Sequence, residues 1–383
     1  MDEVTTRRAL LGGLTAVGAT MTLPRSGGAF AAGVSQARKG VVTLIAGTYA
    51  REQGRGLYPV ACNNDSGWRV GAPIAGITDA SFGIGGGPGG AWYMVREQTR
   101  GELSTYAPGW LHRATVQTGG ADPCHLAIDR QSACLAVANY SSGSVAFYRL
   151  DLRTGIPGPP AVYQHAATGT GTGPNRNRQE APHAHWVGFS PDGHFLHAVD
   201  LGADAIFAYR FDRRARTLQP PRVAWRAPAG AGPRHLVRHP HLPRVYVVCE
   251  LANAVMTLDA QSDGGFVTRH QLSTLPAGYG GASQAAHIAI DRQGHRLYVS
   301  NRGHDSIAVF ALDADGMPTL LQHIPSGGSW PRMFLLLEAE RSLIVGNERS
   351  GTIDVLRLRP DGRLAATGPS MAVPGIVFLG RLA

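Results

Sequence analysis

Lysine is almost absent from this chain of 383 residues: Lys39 is the only one, and every other basic residue is an arginine. The arginines are scattered, and their densest group, Arg213, Arg214 and Arg216, falls in an apparent turn. Without basic runs interleaved with aromatics, the net charge of +9 is no footprint of a nucleic-acid binder. Charged residues make up only 16%, too few for a solvated helical bundle or a coiled coil. The four cysteines, Cys62, Cys124, Cys134 and Cys249, form no Cys-x-x-Cys pair. That excludes a zinc ribbon or thioredoxin-like centre and leaves them as small buried side chains. No Gly-x-Ser-x-Gly elbow occurs, so a serine acyl-enzyme is not expected. No stretch reaches the roughly 18 apolar residues of a spanning helix, so no stable membrane span is expected.

What the chain does have is punctuation. Fifty glycines and 25 prolines, with 43% hydrophobic residues, describe a globular core built from short strands and frequent turns. The glycines follow no three-residue period, which excludes a collagen. Residues 1–31 have the layout of an export signal. Arg7-Arg8 follow Thr5-Thr6, a short apolar stretch runs from Ala9 to Leu23, and Ala29-Phe30-Ala31 offers a small-residue cleavage site. The paired arginines resemble the twin-arginine class, so export to the periplasm or beyond is expected.

Residues 32–383 read as one repeating domain. Five segments share an apolar start: Pro123–Ile128, His183–Val187, Pro233–Val237, Ala285–Ile290 and Pro331–Leu335. After each comes a second apolar run ending in a polar residue, at Asn139, Asp200, Glu250, Asn301 and Asn347, spaced 61, 50, 51 and 46 residues apart. A third run and a weaker fourth complete each unit. Four short strands per ~40–50 residues describe a β-propeller blade. Two irregular units precede these, at Val41–Thr48 with Gly56–Ala61 and at Ala91–Glu97 with Leu103–Tyr106. The glycine-rich stretch Gly83–Gly90 reads as a turn. The run Val373–Phe378 lacks a blade of its own and is expected to complete the first one. The predicted fold is all-β: seven four-stranded antiparallel blades, with the ring closed by N- and C-terminal strands. Residues 166–181 form an insertion, read either as a surface loop or as a flap over the channel mouth.

Propellers bind ligands at the mouth of the central channel. The column expected there is His125, His185, His235, His287 and Met333. Strand alternation would put His183 and His185 on one face, although two histidines are not a metal site. Arg234 and Arg332 each follow a proline that fixes them, suited to gripping a carboxylate or phosphate. Glu250 ends a very apolar run, and Arg302 stands at the equivalent strand end, so the two are either an inter-blade ion pair or a tuned site. The strand-end set Glu97, Asn139, Asp200, Glu250, Asn301 and Asn347 offers oxygens that would suit calcium, or else hydrogen bonds that cap each blade.

The segments Gly232–Pro240, Leu297–Ser306 and Phe189–Gly193 resemble the seven-bladed lactonase family, which includes propeller-type phosphogluconolactonases and the fungal carboxymuconate cyclase. By that resemblance, His185, Arg234 and Glu250 match the cyclase's proposed histidine, first arginine and glutamate. Arg302 matches the second arginine, with Arg332 as rival. The implied activity is opening or closing a lactone of an anionic sugar acid or muconate-like acid. His185 or Glu250 would be the base, and His183, His235, His287 and Arg332 would help bind substrate. The other readings are a metal-dependent lactonase or esterase and a non-enzymatic binding scaffold. No cofactor and no metal is assigned, the partner expected is a small anionic lactone or carboxylate, and a monomer is expected.

Overall fold

The computed structural model describes residues 41–63, 67–165 and 173–382, all within one compact unit, Ala37–Ala383. The expected export signal and part of the 166–181 insertion lie outside the described residues. Seven antiparallel sheets carry the chain. From the inside outward, blade two is Gly83–Ile84, Trp92–Arg96, Glu102–Ala107 and Leu111–Gln117. Blade three is Pro123–Asp129, Cys134–Asn139, Ser144–Arg149 and Ala161–Gln164. Blade four is Ala184–Phe189, Phe195–Asp200 and Ala205–Asp212, with Arg222–Arg226 outermost. Blade five is Pro233–Arg238, Arg244–Cys249, Ala254–Ala260 and Phe266–Ser273. Blade six is Gln284–Ile290, Arg296–Arg302, Ser306–Leu312 and Pro318–Pro325. Blade seven is Pro331–Leu337, Ser342–Asn347 and Thr352–Leu358, with a split outer strand.

Blade one closes the ring as expected. Its inner strand is Ile376–Arg381, pairing with Val41–Thr48, so chain-distant segments share one sheet. The inner strand of every blade packs on that of the next, all the way round. One expectation fails: Gly83–Gly90 is not simply a turn. Gly83–Ile84 is the short inner strand of blade two, followed by a 3₁₀ turn at Pro88–Gly90. The Met94 side chain packs against Gly83, where a Cβ would lie 2.2 Å from its sulfur and would force that side chain to shift.

The core lies between blades rather than within one sheet. Val145 and Phe147 pack with Phe207 and Tyr209 between blades three and four, and Tyr246 and Val248 with Val299 and Phe310 between blades five and six. Alternation along each second strand sends apolar side chains to both faces, where neighbouring blades cover them. One column adds polar latches. Tyr93, Tyr246 and Tyr298 donate hydroxyls to the carbonyls of Gly155, Gly316 and Gly362 in the outer turns of the next blade. His197 fills the same position in blade four, its Nε2 2.9 Å from the Gly264 carbonyl.

Candidate active site

A recurring β-bulge sets the site. In blades three, four, five and seven the inner strand holds one residue more than its partner near its start. The extra residues are Cys124, His185, Arg234 and Arg332. In blade six, Ala286 and His287 together face Ser300, and the Ser300 hydroxyl accepts the His287 N–H at 3.0 Å. Bulges re-aim side chains that strict alternation would place elsewhere. This corrects the expected column by one residue. His185 aligns with Cys124 and Arg234, whereas His125, His235 and Met333 align with Trp186.

A second set comes from the residue after the one that pairs with the last inner-strand residue before each bulge. In blades three, four, five and seven its N–H closes onto the carbonyl just before the inner strand: Tyr140 to Asp122, Leu201 to His183, Glu250 to Gly232 and Glu348 to Trp330. Arg302 holds this position in blade six, after Asn301, which pairs with Ala285. Glu250 therefore aligns with Arg302 and Glu348, not with Asn139 and Asn347 as the spacing suggested. The true counterparts of those asparagines serve their own surroundings. Asn139 donates to Ser144, Asn301 to Thr274 and Ser306, and Asn347 to Ser326 and Asp354. Asp200 accepts from the backbone N–H of His183 and Ala203. The asparagine amide nitrogens and the Asp200 carboxylate thus cap blades, and among the described residues no three His, Cys, Asp or Glu side chains are grouped to hold a metal.

Glu250 is the centre of the site. Its side chain is 2% exposed and meets three guanidinium groups: Arg302 at 2.7 Å, Arg234 at 3.0 Å and Arg178 at 2.5 Å. Burial alone would push its pKa up; Arg302, Arg234 and Arg178 overcome this and hold it well below the usual carboxylate range. Arg234 is fixed from the other side, where its Nη1 donates to the Ala286 carbonyl and to His235 Nε2. Gly232 permits the approach: its φ is +61°, and a Cβ there would lie 2.5 Å from Leu251. Burial and then the neighbouring Arg302 pull the pKa of Arg234 down to about 9, so it stays charged at neutral pH. Arg302 donates to the Gln284 and Ala285 carbonyls and lies over the Trp330 ring at 5.5 Å. Nη2 of Arg234 and Nη1 of Arg302 donate to none of the described residues.

His185 stands beside this cluster, its ring edge-on to Tyr140 and to His235 at 5.4 and 5.2 Å. Its Nδ1 faces the Cys124 thiol at 3.9 Å, and its Nε2 bonds to none of the described residues. Burial, and next the charge of Arg234, hold its pKa well below the ordinary value, so it is a neutral imidazole. The tautomers beyond it follow from Arg234, which can only donate. His235 Nε2 must accept, so its Nδ1 carries the proton and donates to His287 Nδ1 at 3.1 Å. His287, whose pKa burial pulls down to about 3, is left with an N–H at Nε2.

Two expected binding residues sit elsewhere in function. His183 stacks on Tyr140 at 4.5 Å, with Nδ1 on the Tyr140 carbonyl and Nε2 on Glu180, so both nitrogens are engaged. The bulge gives it and His185 different roles against the same tyrosine. Arg332 does not join Glu250. It contacts Glu348 at 3.5 Å, Glu97 at 4.0 Å and the Tyr49 hydroxyl at 3.1 Å. Burial opposes its charge, but Tyr49, Glu348 and Glu97 raise its pKa well above the ordinary value. Arg302 is therefore the second arginine on the carboxylate.

Nothing in the sequence pattern singles out Arg178. It comes from the insertion, which has no counterpart in other blades, so no repeat column contains it. The part of the insertion that is described does enter the site rather than pass over bare surface.

With this geometry in view, residues 43–380 match a family model described as lactonase, 7-bladed β-propeller. The chain belongs to the seven-bladed lactonase family. It is 32% identical to a 6-phosphogluconolactonase of Bacillus subtilis over 291 residues, 75% of this chain and 79% of that one. Among solved structures, a protein of Lactobacillus plantarum matches with a TM-score of 0.83 at 27% identity, covering 90% of this chain and 100% of its own. The periplasmic gluconolactonase of Pseudomonas aeruginosa matches with a TM-score of 0.81 at 28% identity, covering 90% of this chain and 99% of its own.

Proposed function

We propose that this lactonase-family propeller opens the ring of an anionic lactone, of a sugar acid or a muconate-like acid, at the Glu250 cluster, or runs the reverse closure. The observation that carries this reading is the meeting of His185, Arg234, Glu250 and Arg302 around one buried carboxylate, where a binding scaffold would leave them scattered. The names of the Bacillus and Pseudomonas relatives support the lactone as substrate class. The Pseudomonas protein's periplasmic description also agrees with export of this chain, which we propose from its twin-arginine-type start.

His185 is the better base of the two candidates. Its imidazole is neutral and its Nε2 has no partner among the described residues, whereas Glu250 is held ionised and weakly basic by three arginines. His185 Nε2 takes a proton from water as the water oxygen bonds to the lactone carbonyl carbon. The free N–H groups of Arg234 and Arg302 stabilise the oxyanion. As the tetrahedral intermediate collapses, the ring C–O bond breaks and His185 returns the proton to the departing oxygen, giving the hydroxy acid. Glu250 holds both arginines in place. The test is an assay of the purified protein on sugar lactones and muconolactones, with and without chelator. Full activity in Glu250→Gln would sink the assignment, and activity abolished by EDTA would favour the metal-dependent route.

A further inference from the structure

Arg178 differs from the other two arginines on Glu250. Arg234 and Arg302 are 3% and 5% exposed and are tied to backbone carbonyls on their far sides. The Arg178 side chain is 30% exposed. Among the described residues only its Nη2 is engaged, by Glu250 Oε1 at 2.5 Å and the Tyr140 hydroxyl at 3.3 Å. Its Nε and Nη1 donate to none of the described residues. The backbone beneath it is nevertheless well held. The Arg178 and Gln179 N–H groups both reach the Asn175 carbonyl, and the fully buried Gln179 side chain donates to the Leu201 carbonyl at 3.0 Å. A fixed base thus presents a guanidinium with one edge on Glu250 and the other open.

The charges on this side do not balance. Three guanidiniums face one carboxylate, and Arg332, which has its own acids in Glu97 and Glu348, takes none of Glu250. Two positive charges remain for a ligand. We propose that Arg178 receives the anionic group of the ligand, exchanging Glu250 for a phosphate or carboxylate that enters from solvent. This rests on the lactone-opening reading above. The exchange strands no charge, because Glu250 keeps Arg234 and Arg302. A free guanidinium edge suits a phosphate or carboxylate in two-pronged fashion, as a lysine would not. Arg178 is then a specificity residue, and the insertion that carries it sets which lactones are accepted.

The experiment compares wild type, Arg178→Ala and Arg178→Lys on three probes: glucono-1,5-lactone, its 6-phosphate, and a lactone bearing a free carboxylate. A charged hydrogen bond is worth about 1.5–3 kcal/mol, or roughly a 10–150-fold change. Arg178→Ala should lose at least about tenfold more kcat/KM on a charged lactone than on the neutral one, mainly through KM, with partial rescue by lysine. Whichever charged probe shows the loss identifies the group as phosphate or carboxylate. An equal loss on all three probes, with unchanged melting temperature, would overturn the proposal. Calorimetry with inorganic phosphate and with acetate is independent of turnover. Arg178→Ala should weaken binding of the anion that matches the affected lactone at least about tenfold, and equal affinity, or no binding of either anion by wild type, would also overturn it. If phosphate binding depends on Arg178 while no lactone is opened, the anion site stands and the lactone-opening reading fails.

Discussion

Glu250 and Arg302 hold the same structural position in adjacent blades, and their side chains meet at 2.7 Å. The pair is repeat geometry turned to electrostatics: one position, two neighbouring blades, opposite charges. Breaking a buried pair from one side leaves the other charge uncompensated, at a cost of about 3–5 kcal/mol. Glu250→Gln should therefore lower stability by an amount in that range and reduce kcat/KM by about 100-fold or more. Denaturant melts of Glu250→Gln, Arg302→Met and the double variant would show a double loss smaller than the sum of the singles. Additive losses would mean the two are not coupled.

His185→Asn should separate chemistry from folding. Its Nε2 has no partner among the described residues, so the fold loses little, while removal of a general base costs typically 100–10,000-fold in kcat. The measurement is kcat beside melting temperature. A wild-type rate would return the base role to Glu250.

The buried histidines set an acid limit on stability. His125, His235 and His287 are kept neutral by burial, with His287 down at about 3. In the unfolded chain they take up protons near pH 6.5. Stability is thus fully present above about pH 6.5 and declines as the pH falls toward the folded values, by up to ~1.4 kcal/mol per unit for each histidine. Glu250 acts lower down: its contribution is present above about pH 4.3 and is lost only as the pH falls through its depressed folded value. Melting temperatures from pH 7.5 to 5 should fall, and His287→Gln should flatten the slope. A level curve over that window would contradict the argument.

The inter-blade latch makes a prediction away from the site. Tyr246→Phe removes a 2.6 Å hydrogen bond to the Gly316 carbonyl and leaves that buried acceptor without its donor. A loss of about 1–2 kcal/mol is expected in urea titrations, with lactone turnover within a factor of about two of wild type. An unchanged midpoint would show that the latch adds nothing.

Much of this was legible in the residues. The spacing of apolar runs gave seven blades, and the orphan run before Phe378 gave the closure, because repeats and unpaired strands leave a mark in sequence. The site was legible only in outline. His185, Arg234 and Glu250 stand out in the sequence, but their register does not, since a bulge adds a residue without changing the apolar pattern. The choice of Arg302 over Arg332 depends on which blade is the neighbour of Glu250, a matter of position around the ring. Arg178 lay in an unrepeated stretch of glycine, threonine and asparagine, where nothing in the pattern marks one arginine as different. Gly83–Gly90 hid a strand because two residues of ladder leave no periodicity to read.

The closing strand ties two distant moments of synthesis together. Val41–Thr48 is made long before its inner partner, Ile376–Arg381. Until that strand arrives, blade one has an open edge and the ring is a crescent whose first and last blades each expose a face built to be covered. A chain cut short just before Ile376 would carry nearly every blade and still be a target for proteases and for edge-to-edge pairing. Ring closure thereby acts as a check on synthesis, passed only by a chain translated through Arg381.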